Sequence, residues 1–375
     1  MTLKFFACGD VVNSTAKNDF IDSGLKNAIH SCDIAICNFE APINVIDRHP
    51  IKKAGPHIYQ SRESISYLKD AGFDFVSLAN NHIYDFGEKS LSATIQILRK
   101  NKINFVGGGL DFEEAYKPKI IDKNGIKIGL LAACENEFGC FYEEREGGGY
   151  AWLFHERLED NIRNLRKQVD FIILIAHAGP EDIEIPIKEW RDRYKRLCDI
   201  GVDVIIGHHP HVPQGYERYK NGLIFYSLGN FYFDVAKFIS KSDDSYSVIL
   251  SFDKEKEVDF EIIYHKKING QTSLVNKSEV IFNLSLLNSM LGEQYRKNNN
   301  EICLHLFYKY YYSYYEEALG ALPKNSDVIK SIKFFLKKLL YKDQTERDRN
   351  LLLLHNIRID SHRFVVQRAL SLISE

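Results

Sequence analysis

Proline, methionine and tryptophan are scarce in this 375-residue chain, at 9, 2 and 2 residues, and neither sign of charge predominates. With 49 Lys+Arg against 51 Asp+Glu the formal net charge is -2, so bulk electrostatics gives no attraction for a nucleic-acid backbone. No run approaches the ~18 continuous apolar residues that a membrane span needs. The seven cysteines are odd in number, scattered and never spaced C-x-x-C, which argues against a disulfide framework and against a thiolate zinc or iron–sulfur site. The N-terminal run Leu3–Cys8 is too short for a signal peptide and meets a charge at Asp10, so the expected location is the cytoplasm.

Against these absences stands a composition that is 45% hydrophobic and 27% charged, enough for a full core and too apolar for disorder. Up to about residue 210 short apolar runs alternate with amphipathic stretches. Leu3–Cys8, Asp33–Cys37, Phe73–Leu78, Ile103–Val106, Phe171–Ala176 and Val202–Ile206 read as strands buried on both faces. Asp19–His30, Ser61–Ala71, Glu88–Lys100, Phe154–Lys167 and Ile187–Ile200 read as helices between them, which makes the fold class α/β. Ser247–Phe252 and Val258–Tyr264 alternate like antiparallel strands. Composition then shifts: residues 281–375 carry 14 Lys+Arg against 10 Asp+Glu and two glycines. This predicts an α/β domain over residues 1–275 and an all-helical C-terminal domain over 281–375. Its expected helices are Phe282–Arg296, Cys303–Leu319, Ser326–Tyr341 and two more, with Asn298–Asn300 as a polar loop. Tyr308, Tyr311, Tyr312 and Tyr315 are spaced to share one helix face.

Chemistry sits where the runs end. Leu3–Cys8 leads into Gly9-Asp10, and Asp33–Cys37 into Asn38-Phe39-Glu40. Phe73–Ala79 leads into Asn80-Asn81-His82, Phe171–Ala176 into His177-Ala178-Gly179-Pro180-Glu181, and Val202–Ile206 into Gly207-His208-His209-Pro210-His211. In parallel sheets strand C-termini share one edge, so these residues should converge. Carboxylate, amide and imidazole together suit a divalent cation such as Mn²⁺, Fe²⁺, Zn²⁺ or Mg²⁺. Three imidazoles in four residues have no obvious structural use. His208 is expected to face away from the cluster, because alternate residues of an extended segment point opposite ways. Gly107-Gly108-Gly109 lacks the pattern of a phosphate loop.

The set Gly9-Asp10, Asn38-x-Glu40, Asn80-Asn81-His82 with Asp85-x-Gly87, His177-x-Gly179-x-Glu181, Gly207-x-His209-Pro210-His211 and Ser227-Leu228-Gly229-Asn230-Phe231 resembles the CapA family of bacterial capsule and poly-γ-glutamate synthesis proteins. That family is in turn similar to the calcineurin-like metallophosphoesterases. The resemblance spans roughly residues 3–235 and implies a metallophosphoesterase-like α/β sandwich. It implies metal ligation by Asp10, Glu40, Asn81, His177, His209 and His211, with Glu40 bridging two ions and His82 as general acid. Asn38, Glu181 and Asn230 would support the ligands or touch substrate, Glu181 by orienting His177. Where the phosphoesterase pattern has a second ligand after Asp10, this chain has Val12.

The implied cofactor is one or two divalent ions, with manganese favoured. The implied activity is hydrolysis of a phosphoester in capsule or surface-polysaccharide metabolism, on a phosphorylated glycan, polymer or small phosphoester. A rival expectation is synthesis or modification of a capsule polymer such as poly-γ-glutamate, as a ligase-type or non-catalytic component.

Overall fold

Nine of the ten residues of β1 (Leu3–Val12) are buried, as expected of a strand covered on both faces. A computed structural model of the chain describes residues 2–235, 244–319 and 342–375. They form two units, Met1–Ile51 with His57–Gln294, and Lys52–Pro56 with Tyr295–Glu375.

In the first unit β1 is central to a mixed sheet. Its order is β17 (Gln271–Leu274), β16 (Asp259–Ile268), β15 (Ser245–Phe252), β1, β2 (Ile34–Phe39), β3 (Phe75–Ser77) and β4 (Asn104–Val106). β14 (Asn230–Phe233) pairs with the last part of β1. Strands β1 to β4 are mutually parallel, and β15 to β17 extend the sheet antiparallel. A second sheet has the order β12 (Tyr216–Tyr219), β13 (Gly222–Phe225), β11 (Val204–His208), β10 (Phe171–His177), β7 (Ile126–Cys134) and β6 (Lys119–Lys123), parallel except at its two edges. A small third sheet joins β5 (Gly108–Gly109), β9 (Gly149–Ala151) and β8 (Cys140–Phe141).

The two large sheets share one apolar core. β1 lies against β11 and β4 against β7. Phe171 of β10 meets Phe252 of β15 with ring centroids 5.0 Å apart. Burying such rings stabilises by about 1.5–3 kcal/mol each, so the interface between sheets is the main source of cohesion. The fold is the expected α/β sandwich, with the parallel strands split between two sheets.

Local differences from the sequence reading have physical causes. Helix α1 covers Ser23–His30, four residues shorter than expected, because Phe20–Asp22 is extended and bridges the outer edge of β17 through Ile21 and Thr272. Asp22 serves both elements: one carboxylate oxygen accepts the Leu25 N–H at 2.8 Å as helix cap, the other the Leu274 N–H at 3.1 Å.

In the second unit Asn298–Asn300 is helical, inside Tyr295–Leu306, and not a loop. Tyr295, Asn299, Cys303 and Leu306 form its buried face, so tertiary packing overrides the poor helix propensity of asparagine. The expected helix Phe282–Arg296 is interrupted after Leu284–Ser289, near Gly292. The tyrosine stripe does not keep one face. Phe307–Tyr311 is a π-helical turn, whose wider repeat rotates the following residues, leaving Tyr311 buried and Tyr308 61% exposed. The expected helix Ser326–Tyr341 lies outside the described residues.

Gly9 is the tightest crossing beside the cleft. A Cβ there would lie 1.8 Å from the Gly229 carbonyl oxygen, immediately before β14. Gly9→Ala should therefore separate β1 from β14 and destabilise the protein by about 1–3 kcal/mol, the usual range for overpacking. Urea denaturation of the two proteins checks this; an unchanged midpoint would refute it.

Candidate metal centre

Each cluster residue is placed by a strand end. Asp10 lies where β1 is irregular towards both neighbours, with register shifts between Ala7 and Asp10 against β2 and between Asp10 and Val11 against β14. Such bulges re-aim side chains. Asn38, the penultimate residue of β2, lies opposite Asp10, and Glu40 directly follows the strand. Asn81 and His82 follow β3, and His177 closes β10 beside His208 of β11. After His208 the chain is not extended. His209 and His211 have φ of +95° and +58°, the left-handed region that side chains rarely occupy, and this folds the segment over the cleft.

Two groups of potential ligands result, each with one atom per residue and all atoms within 4.8 Å of one another: Asp10, Glu40 and His211, and Glu40, His177 and His209. In the first, His211 Nδ1 is 3.5 Å from Asp10 Oδ2 and its Nε2 is 3.6 Å from Glu40 Oε1. In the second, His177 Nε2 is 4.0 Å from Glu40 Oε1 and 3.1 Å from His209 Nδ1. Asn81 Oδ1 reaches the same His177 nitrogen at 3.2 Å. Glu40 belongs to both groups, and neither of its buried oxygens has a hydrogen-bond partner. A fully buried carboxylate facing imidazoles with both oxygens unsatisfied fits a cation between them. Position 12 contributes no ligand: Val12 packs with Ala41, Ile58 and Phe233 in a small apolar cluster.

Electrostatics agrees. Burial, with the Asp10 charge added and His211 opposing, pushes the Glu40 carboxyl well above the carboxylate range. Burial also raises Asp10, but hydrogen bonds from His208 and His211 outweigh it and hold that carboxyl well below its ordinary value. Burial depresses His177, and takes His209 down to about 3, so both rings are neutral at physiological pH and able to ligate. Despite burial, Glu40 and Asp10 hold the His211 imidazole well above its ordinary value.

The supporting residues depart from expectation in two ways. His208 does not face away; with the backbone turned at His209, its Nδ1 sits 3.2 Å from Asp10 Oδ1. Glu181 does not orient His177. It is exposed, and Asn38 takes that position, with Nδ2 3.1 Å from His177 Nδ1 and 2.8 Å from Asp10 Oδ1. Asn230 Oδ1 meets His211 Nδ1 at 3.0 Å. Two further carboxylates support the cluster: Asp85, to which the sequence reading gives no role, and Glu135, which it does not single out. Asp85 holds His82 Nδ1 at 2.7 Å. Glu135 is fully buried 3.7 Å from His209 Nε2. Both had a signal: Asp85 is three residues after His82, and Glu135 directly follows the apolar strand β7, as Glu40 directly follows β2.

The structure is thus a two-sheet α/β sandwich in which two histidine–carboxylate groups share one glutamate. The chain belongs to the family described as bacterial capsule synthesis protein PGA_cap, whose profile matches residues 4–235. It is 30% identical over 222 residues to the capsule biosynthesis protein CapA of Bacillus anthracis, covering 58% of this chain and 54% of that protein. It is likewise 30% identical over 217 residues to the PGA biosynthesis protein CapA of Bacillus subtilis, at 58% and 57% coverage. The chain thus spans about half the length of these relatives. A crystal structure of a phosphatase from Mycoplasma pneumoniae is similar with a TM-score of 0.45 and 17% identity, over 71% of this chain and 94% of that one. Among the described residues no helix is long and apolar enough to cross a membrane.

Because the raised Glu40 and His211 groups carry protons that a cation must displace, Mn²⁺ uptake should release roughly one to two protons and strengthen as pH rises. Calorimetric titrations in buffers of different ionisation heat, at pH 6 to 8, measure the release directly. A pH-independent affinity would contradict this electrostatic account.

Proposed function

We propose that this chain is a metal-dependent phosphoester hydrolase acting in capsule or surface-polysaccharide metabolism. The observation that carries the reading is Glu40, shared by two ligand groups and unsatisfied at both oxygens. Asp10, Glu40 and His211 would hold one cation, and Glu40, Asn81, His177 and His209 a second. Mixed oxygen and imidazole donors without thiolates suit a hard or borderline divalent cation, and Mn²⁺ is the one we favour. Divalent cations there supply Lewis acidity towards phosphoryl oxygens and activate water.

The chain's own residues supply the rest. His82 is the general acid: Asp85 holds Nδ1 and supports the imidazolium, and the proton passes from Nε2 to the leaving oxygen. Asn38 and His208 fix the Asp10 carboxylate. Glu181, exposed and close enough to influence Glu40 and His211, faces incoming substrate. A phosphorylated glycan, polymer or small phosphoester fits this chemistry.

A second reading makes the chain an accessory component of polymer synthesis. It is favoured by the similarity, at 25% identity over 215 residues, to a probable polyglutamine synthesis accessory protein of Mycobacterium tuberculosis, 55% of which is covered.

The purified chain loaded with Mn²⁺ and offered generic phosphomonoesters and diesters separates the two. Under the hydrolase reading His82→Ala keeps its bound metal and loses about 10²–10⁴-fold in turnover, whereas His209→Ala loses metal and turnover together. Fully loaded protein without turnover on either ester class would favour the accessory reading. Equal metal loss in both variants would make His82 a ligand.

A further inference from the structure

The polar side chains behind the cluster form a chain with a fixed direction. Asn80 donates its Nδ2 to the Phe39 carbonyl at 2.9 Å, and because a carbonyl can only accept, that amide has one orientation. The same nitrogen reaches Asn38 Oδ1 at 3.3 Å. This turns Asn38 Nδ2 towards Asp10 Oδ1 and His177 Nδ1. His177 Nδ1 is then an acceptor, and that ring's proton sits on Nε2. The 3.1 Å contact between His177 Nε2 and His209 Nδ1 needs one donor and one acceptor, so His209 Nδ1 accepts. His209 therefore carries its proton on Nε2, the nitrogen that faces Glu135 Oε1 at 3.7 Å, about half an ångström beyond a direct hydrogen bond.

Glu135 is well placed to receive it. It directly follows β7, is fully buried, and is fixed twice: Oε1 accepts the Gly179 N–H at 2.9 Å, and its own N–H donates to the His177 carbonyl at 3.0 Å. Both anchors lie on the segment that carries His177.

We propose that Asn80 starts a hydrogen-bond chain that ends on His209 Nδ1 and selects that ring's tautomer, with the Glu135 carboxylate facing the Nε2 proton, so that the Nδ1 lone pair stays directed at the Glu40–His177 group. Both are positioning residues. A carboxylate behind a ligating imidazole fixes its orientation and raises its basicity, and losing such a partner typically costs 10–100-fold in metal affinity. His177 ligates through Nε2 only when its proton moves to Nδ1, which faces the Asn38 Nδ2 donor, so cation binding there also requires the Asn38 amide to turn. The inference rests on the cluster being a cation site and is independent of which bond the protein cleaves.

The test uses the full-length, metal-free chain with ¹⁵N-labelled histidine. Long-range ¹H–¹⁵N spectra report each ring's tautomer, with His209 assigned by His209→Gln. Zn²⁺ alone is then titrated calorimetrically. Wild type should show His209 protonated at Nε2. Glu135→Gln, whose amide oxygen still accepts, should keep that tautomer and bind Zn²⁺ within about threefold of wild type, whereas Glu135→Ala should mix the tautomers and weaken binding about 10–100-fold. Asn80→Ala releases the start of the chain, should also mix the His209 tautomers, and carries the test if Glu135→Ala fails to fold. A His209 proton on Nδ1 in wild type would overturn the proposal. So would an unmixed Nε2–H tautomer with unchanged Zn²⁺ affinity in folded Glu135→Ala, or an unmixed tautomer in folded Asn80→Ala. Absence of phosphoester turnover with these tautomer results intact would strike the hydrolase reading alone.

Discussion

Two carboxylates sealed from water in one cleft are the constraint to which the surrounding structure answers. Asp10 and Glu40 are both fully buried, and burying even one ion carries an effective penalty of several kcal/mol unless it is paired. Asp10 is satisfied by protein: Asn38, His208, the His209 backbone N–H and His211 surround it. Glu40 is not. Its Oε1 faces imidazole nitrogens at 3.6 Å and 4.0 Å, and neither oxygen has a hydrogen bond. The irregular register of β1, the left-handed residues at 209 and 211 and the glycine crossing at Gly9 all serve to bring ligands from both sheets to that one side chain. Backbone strain of roughly 1–3 kcal/mol at each left-handed histidine is tolerated because the neighbouring packing over-determines it.

Much of this was legible in the sequence because buried strands and polar strand ends are both local signals. Runs such as Phe171–Ala176 announce a strand by composition, and His177 announces an end by interrupting it. Sheet membership is not local. Nothing in the texture of Leu3–Cys8 or Val202–Ile206 says that one pairs in each sheet: the expected meeting of Asp10 and His211 rested on strand ends sharing one edge, whereas they come from two sheets. Errors clustered where backbone conformation departs from regular geometry. The periodicity argument for His208 assumed an extended segment and failed at a positive φ. The tyrosine stripe assumed 3.6 residues per turn and failed at a π-turn.

The family match ends at residue 235, but the first sheet does not. β15 pairs with β1 over Leu3–Ala7, the half of the strand that carries no ligand, and β16 and β17 follow. The matched segment supplies the cluster residues, while the strands after it cover one side of the strand from which Asp10 projects. Function and support are thus separated along β1 itself: its first half is held by β15 and β2, its last part by β2 and β14.

The short extended segment before α1 has a consequence for the molecule's behaviour in a crowded solution. A bare edge strand presents a row of unpaired amide groups and invites a strand from another molecule. On β17, Thr272 already gives its N–H to Phe20 and accepts from Asp22, and the Leu274 N–H is taken by the Asp22 carboxylate. The chain's own N-terminal region therefore occupies the position that an intermolecular strand would need. Because Asp22 also starts a helix, edge pairing at this site would require unravelling α1 first, so resistance to strand-mediated aggregation is tied to the stability of a local helix cap.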